Sequence, residues 1–318
     1  MKYKILTILS KYIIWIVILF IIIFSSIFIN VFLTVGNLSN ILRQISILGI
    51  LSIGVTFVFI GGSFDLSIGS ILMFCTIIVI DLQPTTVIKT IIAIIAAMML
   101  GILLGSLNGF LIGYLKGNAF IVTLGTQGLI LGIALFYTGG QHVWVREPSK
   151  LFSFISEGEI FKIPFPMIIF LLLIIILNFI LRNIPFGKRL YAIGNSEMVA
   201  KVSGINVSKI RFSTFIISGL FAGIGGVVLG SRALNITPTI GRGYEFDAIT
   251  ALVLGGVSLF GGKGNMVQTL SGVLLIGVLH NSLTLIGVST TLQMVITGLL
   301  LIFAVYLDVL TRSISKSR

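Results

Sequence analysis

The stretch MIIFLLLIIIL, residues 167–177, is apolar at every position. A strand of a membrane barrel alternates apolar and polar side chains at every second residue. This stretch does not alternate, and neither does IIWIVILFIIIFSSIFI at 13–29. Backbone facing lipid must satisfy its own hydrogen bonds, which leaves helices or a closed barrel, so both stretches read as membrane helices. A crossing needs about 20 mostly apolar residues. Applied outward along the chain, that test gives segments 13–33, 44–60, 67–82, 87–114, 119–137, 164–182, 212–231, 245–258, 266–286 and 290–309. Of these, 44–60 and 67–82 are short and Gly-flanked, and 245–258 is too short to cross alone. The expected fold class is all-α: a polytopic membrane bundle of about ten transmembrane helices, one transmembrane domain over 1–318, with two Gly-interrupted segments.

Composition agrees. The chain is 57% hydrophobic and 9% charged over 318 residues, where a soluble domain carries about 25% charged residues. A soluble chain this apolar could not cover its surface with polar groups. The single cysteine, Cys75, can form no internal disulfide and sits in an apolar stretch as a small hydrophobe. The net charge of +12 is spread along loops, so it points to lipid headgroups and topology rather than to nucleic acid. Lys2, Lys4 and Lys11 precede the first apolar run, but that run is long for a signal peptide and no A-x-A-like site follows. A retained first helix with a cytoplasmic N-terminus is expected. With ten spans, fourteen of the 21 basic residues then fall inside and seven outside, as the positive-inside rule requires, and both termini are cytoplasmic.

Two connecting segments are long. Thr138–Ile163, placed outside, contains Trp144, Arg146, Glu147, Glu157 and Glu159. Asn183–Ile210, placed inside, interleaves polar and apolar residues; 196–202 fits a short amphipathic helix, with Asn195 or Ser196 as N-cap and Gly204 after its end. The segment reads either as a solvated, positively charged loop that only sets topology or, since a mere linker would not need the interleaved apolar residues, as a docking surface for a cytoplasmic partner. FIGGSFDLSIGS (59–70) and VLGGVSLFGGKGN (253–265) each place Gly-Gly between short apolar segments. They imply parallel half-repeats, about 1–140 and 164–318, and Gly-interrupted positions in matching halves point to a translocation site.

No catalytic constellation is present. There is no G-x-x-x-x-G-K-[ST] phosphate loop, and His142 and His280 lack metal-ligand spacing. His280 reads as a hydrogen-bonded helix residue. Intramembrane charge is costly and usually functional, and of the nine acids only Asp65, Glu245 and Asp247 sit near broken helices. An ion-coupled carrier needs carboxylates inside the bundle, so the energy is expected to come from a partner subunit. Asp65 is expected to cap a helix beginning near Leu66. Candidate translocation or gating residues are Asp65, Ser67, Gly69, Asn108, Thr123, Gln127, Asp247, Gly255 and Gly256; buried polar groups also join helices without touching solute. Gly101, Gly105 and Gly109, and Gly219, Gly223 and Gly226, read as close helix contacts.

Four stretches in order, GGSFDLSIGS (61–70), NAFIVTLGTQGLILGIALFYTGG (118–140), FGKRLYAIGNSEMVAKVSGINV (186–207) and GYEFDAITALVLGGVSLFGGKGN (243–265), resemble the permease subunits of bacterial ABC importers of the ribose/monosaccharide branch. Asn118-Ala119 departs from the prolines common there, and Asn195-Ser196-Glu197 is one residue shorter than a common version. The resemblance implies a translocation subunit in the bacterial cytoplasmic (inner) membrane. Its implied partners are a cytoplasmic ABC ATPase subunit, a second permease subunit and an extracytoplasmic sugar-binding protein. It implies no cofactor on this chain, with ATP and Mg bound by the ATPase. It carries over Gly187, Tyr191, Ala192, Gly194, Ala200, Ser203, Gly204 and Ile205 as the segment coupled to that ATPase. The reading from residues alone keeps an ion-coupled secondary transporter of a small polar solute as the alternative.

Overall fold

The computed structural model describes residues 2–316, with side-chain surroundings described for 13–306 and 309. Several residues behind the placement of the termini, Lys2, Lys4, Lys11, Arg312, Lys316 and Arg318, have side chains outside the described residues, as does Asp308. In chain order the helices are α1 (Lys2–Phe28), α2 (Val35–Ile60), α3 (Ile68–Asp81), α4 (Val87–Gly113), α5 (Ala119–Thr138), α6 (Lys150–Glu157), α7 (Phe165–Asn183), α8 (Pro185–Asn195), α9 (Glu197–Val202), α10 (Val207–Ala233), α11 (Tyr244–Gly255), α12 (Met266–Leu285) and α13 (Thr290–Lys316). Four two-residue strands complete the described chain: β1 (Val143–Trp144), β2 (Glu159–Ile160), β3 (Ile163–Pro164) and β4 (Asn235–Ile236). β1 pairs with β4 and β2 with β3, both antiparallel.

The molecule is an all-α membrane bundle. Six helices, α2, α4, α5, α7, α10 and α12, are long and apolar enough to cross a membrane. The apolar parts of α1 and α13, and the whole of α3, are shorter. α2 lies at the centre and is buried along most of its length, against α7, α10, α11 and α12. α10 lies between α2, α3 and α4. The α4–α10 seam is made by glycine: a Cβ on Gly101 would strike the Gly219 carbonyl, and one on Gly219 would strike that of Gly101. Side chains that small let two backbones meet, which replaces the hydrophobic drive that lipid does not supply.

Helix ends are fixed by side chains. Thr34, Thr86, Ser149, Ser196, Asn206 and Asn265 cap the helices that follow them. Asn118, where prolines were noted as usual, caps α5 by accepting from Phe120 N and Ile121 N at 3.0 and 3.3 Å. Its oxygen serves free N–H groups that proline would merely tolerate.

Four expectations need correcting. α2 starts nine residues before 44, because its polar first turns face protein rather than lipid. Asn37 and Asn281 exchange amide hydrogen bonds at 3.0 and 2.9 Å, and Arg43 donates to Glu159 at 3.0 Å. The segment 183–210 is two helices, not a loop with one. Pro185 at the first position starts α8, where its missing N–H costs nothing. The segment 138–163 holds α6, β1 and β2 and runs into β3. Asp65 does not cap free N–H groups of α3, which begins at Ile68; it binds Ser67 just before the helix.

Candidate functional site

At one end of the bundle, α8 packs against two glycine turns. Its buried face carries Gly187, Leu190 and Ile193, and Phe186 meets Phe57 of α2 with ring centroids 6.2 Å apart. The turn after α2 contains Gly62 (φ 71°), and the turn after α11 contains Gly261 (φ 86°) and Gly262 (φ 73°), left-handed conformations that favour glycine. Gly262 N donates to Ile60 O at 3.0 Å, and Tyr191 Oη donates to Gly264 O at 2.5 Å. Gly194 lies between the turns; a Cβ there would collide with Ile60 O and Gly262 N. The two turns singled out as a repeat therefore touch each other, and both touch α8. Burial raises the Tyr191 phenol above its ordinary pKa, partly offset by Arg182.

α9 follows with its own closure. Ser196 accepts from Val199 N at 3.3 Å. Beyond Ser203, Gly204 (φ 77°) turns the chain, with Gly204 N donating to Lys201 O and Ile205 N to Ala200 O, both at 3.0 Å. That 6→1 and 5→2 pair closes the helix as a Schellman motif. Glu197 pairs with Lys201 at 2.6 Å and with Arg211 of α10 at 2.8 Å. Hydrogen bonds from Lys201 and then Arg211 hold its carboxyl at about 2. Ala200 is buried, whereas Met198, Val199 and Val202 are 78%, 61% and 81% exposed. Of the segment named from the sequence, Gly187 and Ala200 are buried, Tyr191 and Gly194 are half-buried, and Ser203 and Gly204 face outward. Ala192 and Ile205 lie half-buried between. The apolar trio on α9 was not singled out, although its i, i+1, i+4 spacing is a helix-face signal.

Farther along the helices lies a buried polar relay. Asp65 is 1% exposed. Its Oδ1 accepts from Ser67 N at 3.0 Å and Ser67 Oγ at 2.6 Å; its Oδ2 accepts from Ser218 Oγ of α10 at 2.7 Å. Asn108 Nδ2 of α4 donates to Ser67 Oγ at 2.8 Å, and Thr126 Oγ1 of α5 donates to Asn108 Oδ1 at 2.7 Å. The relay joins α4, α5, α10 and the α2–α3 turn. It brings together Asp65, Ser67 and Asn108, and adds Ser218, which carried no distinguishing signal inside a glycine-rich helix.

The other candidates divide. Gln127 Nε2 of α5 donates to Glu245 Oε1 of α11 at 2.8 Å, and Gly243 N donates to Glu245 Oε2 at 3.2 Å. Gly69 leaves the space Glu245 occupies, since a Cβ there would meet Glu245 Oε2. A cleft of about 280 Å³ opens here, lined by Ser70, Met73, Gln127, Thr239, Arg242 and Glu245 among others. Thr123 only returns its hydroxyl to Ala119 O at 2.7 Å. Asp247 lies apart, 3.8 Å from His280 Nδ1, while His280 Nε2 meets Thr297 Oγ1 at 3.0 Å. Gly255 and Gly256 end α11 against α12, where Gln268 Nε2 donates to Gly256 O at 3.2 Å. Among the described residues, no group of three or more metal-ligating side chains occurs.

The family model described as "Branched-chain amino acid transport system / permease component" matches residues 37–305. The chain belongs to this permease family. Its relatives place this permease in the ribose/monosaccharide branch of the bacterial ABC importers, as the four motifs implied. It is 41% identical over 272 residues to the ribose import permease protein RbsC of Bacillus subtilis (strain 168), covering 86% of this chain and 84% of that one. It is 36% identical over 277 residues to the RbsC protein of Escherichia coli (strain K12), with 86% of each covered. The L-arabinose transport system permease protein AraH of the same strain is 34% identical over 275 residues, 86% of this chain and 82% of that one. No solved structure matches the permease. As a member of this family with six crossing-length apolar helices, it is a multi-pass inner-membrane protein.

Proposed function

We propose that this permease is the translocation subunit of an ABC importer that moves a ribose-like monosaccharide into the cytoplasm. A separate ATPase, carrying the ATP and Mg, docks on α8–α9. The observation that carries the reading is the junction: α8 holds both glycine turns, while α9 beside it leaves Met198, Val199 and Val202 uncovered by the rest of the chain. An uncovered apolar face on a segment that also exposes Lys188, Arg189 and Lys201, tied directly to the broken helices, is what a cytoplasmic motor needs. The bundle must have two packings a few kcal/mol apart, one favoured by the ATPase and the other by a loaded binding protein. The Gln127–Glu245 cleft supplies donors and acceptors for sugar hydroxyls along the way.

The same reading has α1–α5, α7 and α10–α13 making about ten crossings with both termini cytoplasmic, in parallel halves about 1–140 and 164–318. A second permease subunit, identical or paired, completes the pathway, and an extracytoplasmic sugar-binding protein delivers solute. Copurification and uptake test it. The permease should bring down an ATP-binding subunit in stoichiometric amount, and D-ribose uptake should stop on ATP depletion and survive an ionophore. Uptake with the reverse sensitivities would establish the ion-coupled carrier instead.

A further inference from the structure

At the ends of α3 and α5 farthest from α8, a cleft of about 820 Å³ is lined by Asp81, Gln83, Tyr137, His142, Trp144 and Arg146 among others. It is built rather than incidental. The Tyr137 hydroxyl donates to the Asp81 carboxylate. Gln83 Nε2 donates to the Trp144 carbonyl at 2.7 Å, and the Arg146 guanidinium lies 5.2 Å from the Trp144 ring centroid. His142 Nδ1 is 3.3 Å from Asn235 Oδ1. The two rings are still half open, Tyr137 at 51% and Trp144 at 48%.

This combination has a chemical meaning. Aromatic faces accept the C–H face of a sugar ring, while carboxylate, amide and guanidinium groups are planar and pair with neighbouring hydroxyls. An acyl chain would offer nothing to the Arg146 guanidinium or to the second Asp81 oxygen, and an anion drawn to Arg146 would be repelled by the Asp81 carboxylate. The cleft also leads somewhere. α3 and α5 line both it and the 280 Å³ cleft at Gln127 and Glu245. Phe74, next in the chain to Met73 of the second cleft, lies edge-on to Tyr137 of the first with centroids 6.4 Å apart. The β1–β4 pair, with Trp144 opposite Asn235, ties the wall of the first cleft to the segment that carries Thr239 and Arg242 into the second.

We propose that this cleft is a low-affinity monosaccharide station at the outer mouth of the permease, from which sugar passes alongside α3 and α5 to Gln127 and Glu245. The proposal rests on the importer reading above. The chain has two tryptophans, so Trp15→Phe leaves Trp144 as the sole indole. The full-length variant in lipid nanodiscs is titrated with D-ribose, and uptake by the complete importer is measured in parallel. A saturable, millimolar change in Trp144 fluorescence is expected, weakened about tenfold by Asp81→Asn through loss of a charged hydrogen-bond acceptor. Tyr137→Phe, which removes only a hydroxyl, should weaken it less and guards against a folding defect. Uptake without a saturable Trp144 response overturns the station and leaves the importer intact. A response without uptake supports the station and overturns the importer. Variants that reduce capture of the binding protein but leave the sugar response unchanged make the cleft a protein-docking surface and overturn the proposal.

Discussion

Asp65 has its two oxygens engaged from opposite directions, one by Ser67 beside it and one by Ser218 across the bundle. A buried carboxylate is tolerated only when its lone pairs are taken up. Ser218→Ala removes one hydroxyl and opens a hole smaller than a water. It should cost about 1–3 kcal/mol, the price of an unsatisfied buried acceptor, read as a lower melting temperature of the purified permease in detergent. Glu197 follows a different rule. Its folded carboxyl lies at about 2, below the ordinary 4.5. The stabilisation is therefore complete above pH 4.5 and fades as pH falls toward 2. Protease sensitivity of the α8–α9 segment should stay flat from neutral pH down to about 5 and rise below that, and Glu197→Gln should abolish the rise. Because Glu197 is partly exposed, its pairs contribute modestly to global stability.

The helices divide into those that hold one another and those that are held by few points. α4 and α10 hold by backbone proximity, so Gly219→Val drives a branched side chain into the Gly101 carbonyl. Overpacking of this kind costs about 1–3 kcal/mol where side chains can yield, and more where, as here, the obstacle is main chain. Expression and thermal stability should both fall, and Gly128→Ala, at a glycine with open space around it, should leave them unchanged. α9 is the opposite case. Val202→Glu alters an exposed face, so the melting temperature should hold while copurification of the ATPase falls; retained copurification and full uptake would falsify docking there. These differences were only partly legible beforehand. Gly101, Gly105, Gly219 and Gly223 announce a seam by their spacing, which is a local property. That Gln127 meets Glu245 depends on the crossing of α5 and α11, and residues 118 positions apart leave no mark of that on either segment. α8 was missed because its polar composition and two glycines resemble a loop, and its helicity comes from packing on α2 and the turns.

For the whole molecule, apolar bulk announced the class and four ordered motifs announced the family, whereas the assembly of the interior did not follow from either. Residues 59–70 and 253–265 read as matching turns in separate halves; folding puts them in contact and places Gly194 between them. Gly194→Ala therefore tests the architecture as a unit. The methyl meets Ile60 O and Gly262 N, neither of which has a rotamer to change. The bundle should still assemble, because α4, α7, α10 and α12 do not pass through this point, but uptake should fall while ATP hydrolysis by the complex continues. A machine joined through side chains has play in it: each rotatable bond absorbs part of any push before the next piece moves. Where Gly62, Gly194 and Gly261 meet there is only main chain against main chain, so the joint has no backlash. A motor that pushed α8 would move both turns at once, and that directness makes its own demand: a Cβ at Gly194 or Gly261 would strike main chain, and Gly62 holds a φ of 71° that side chains rarely adopt.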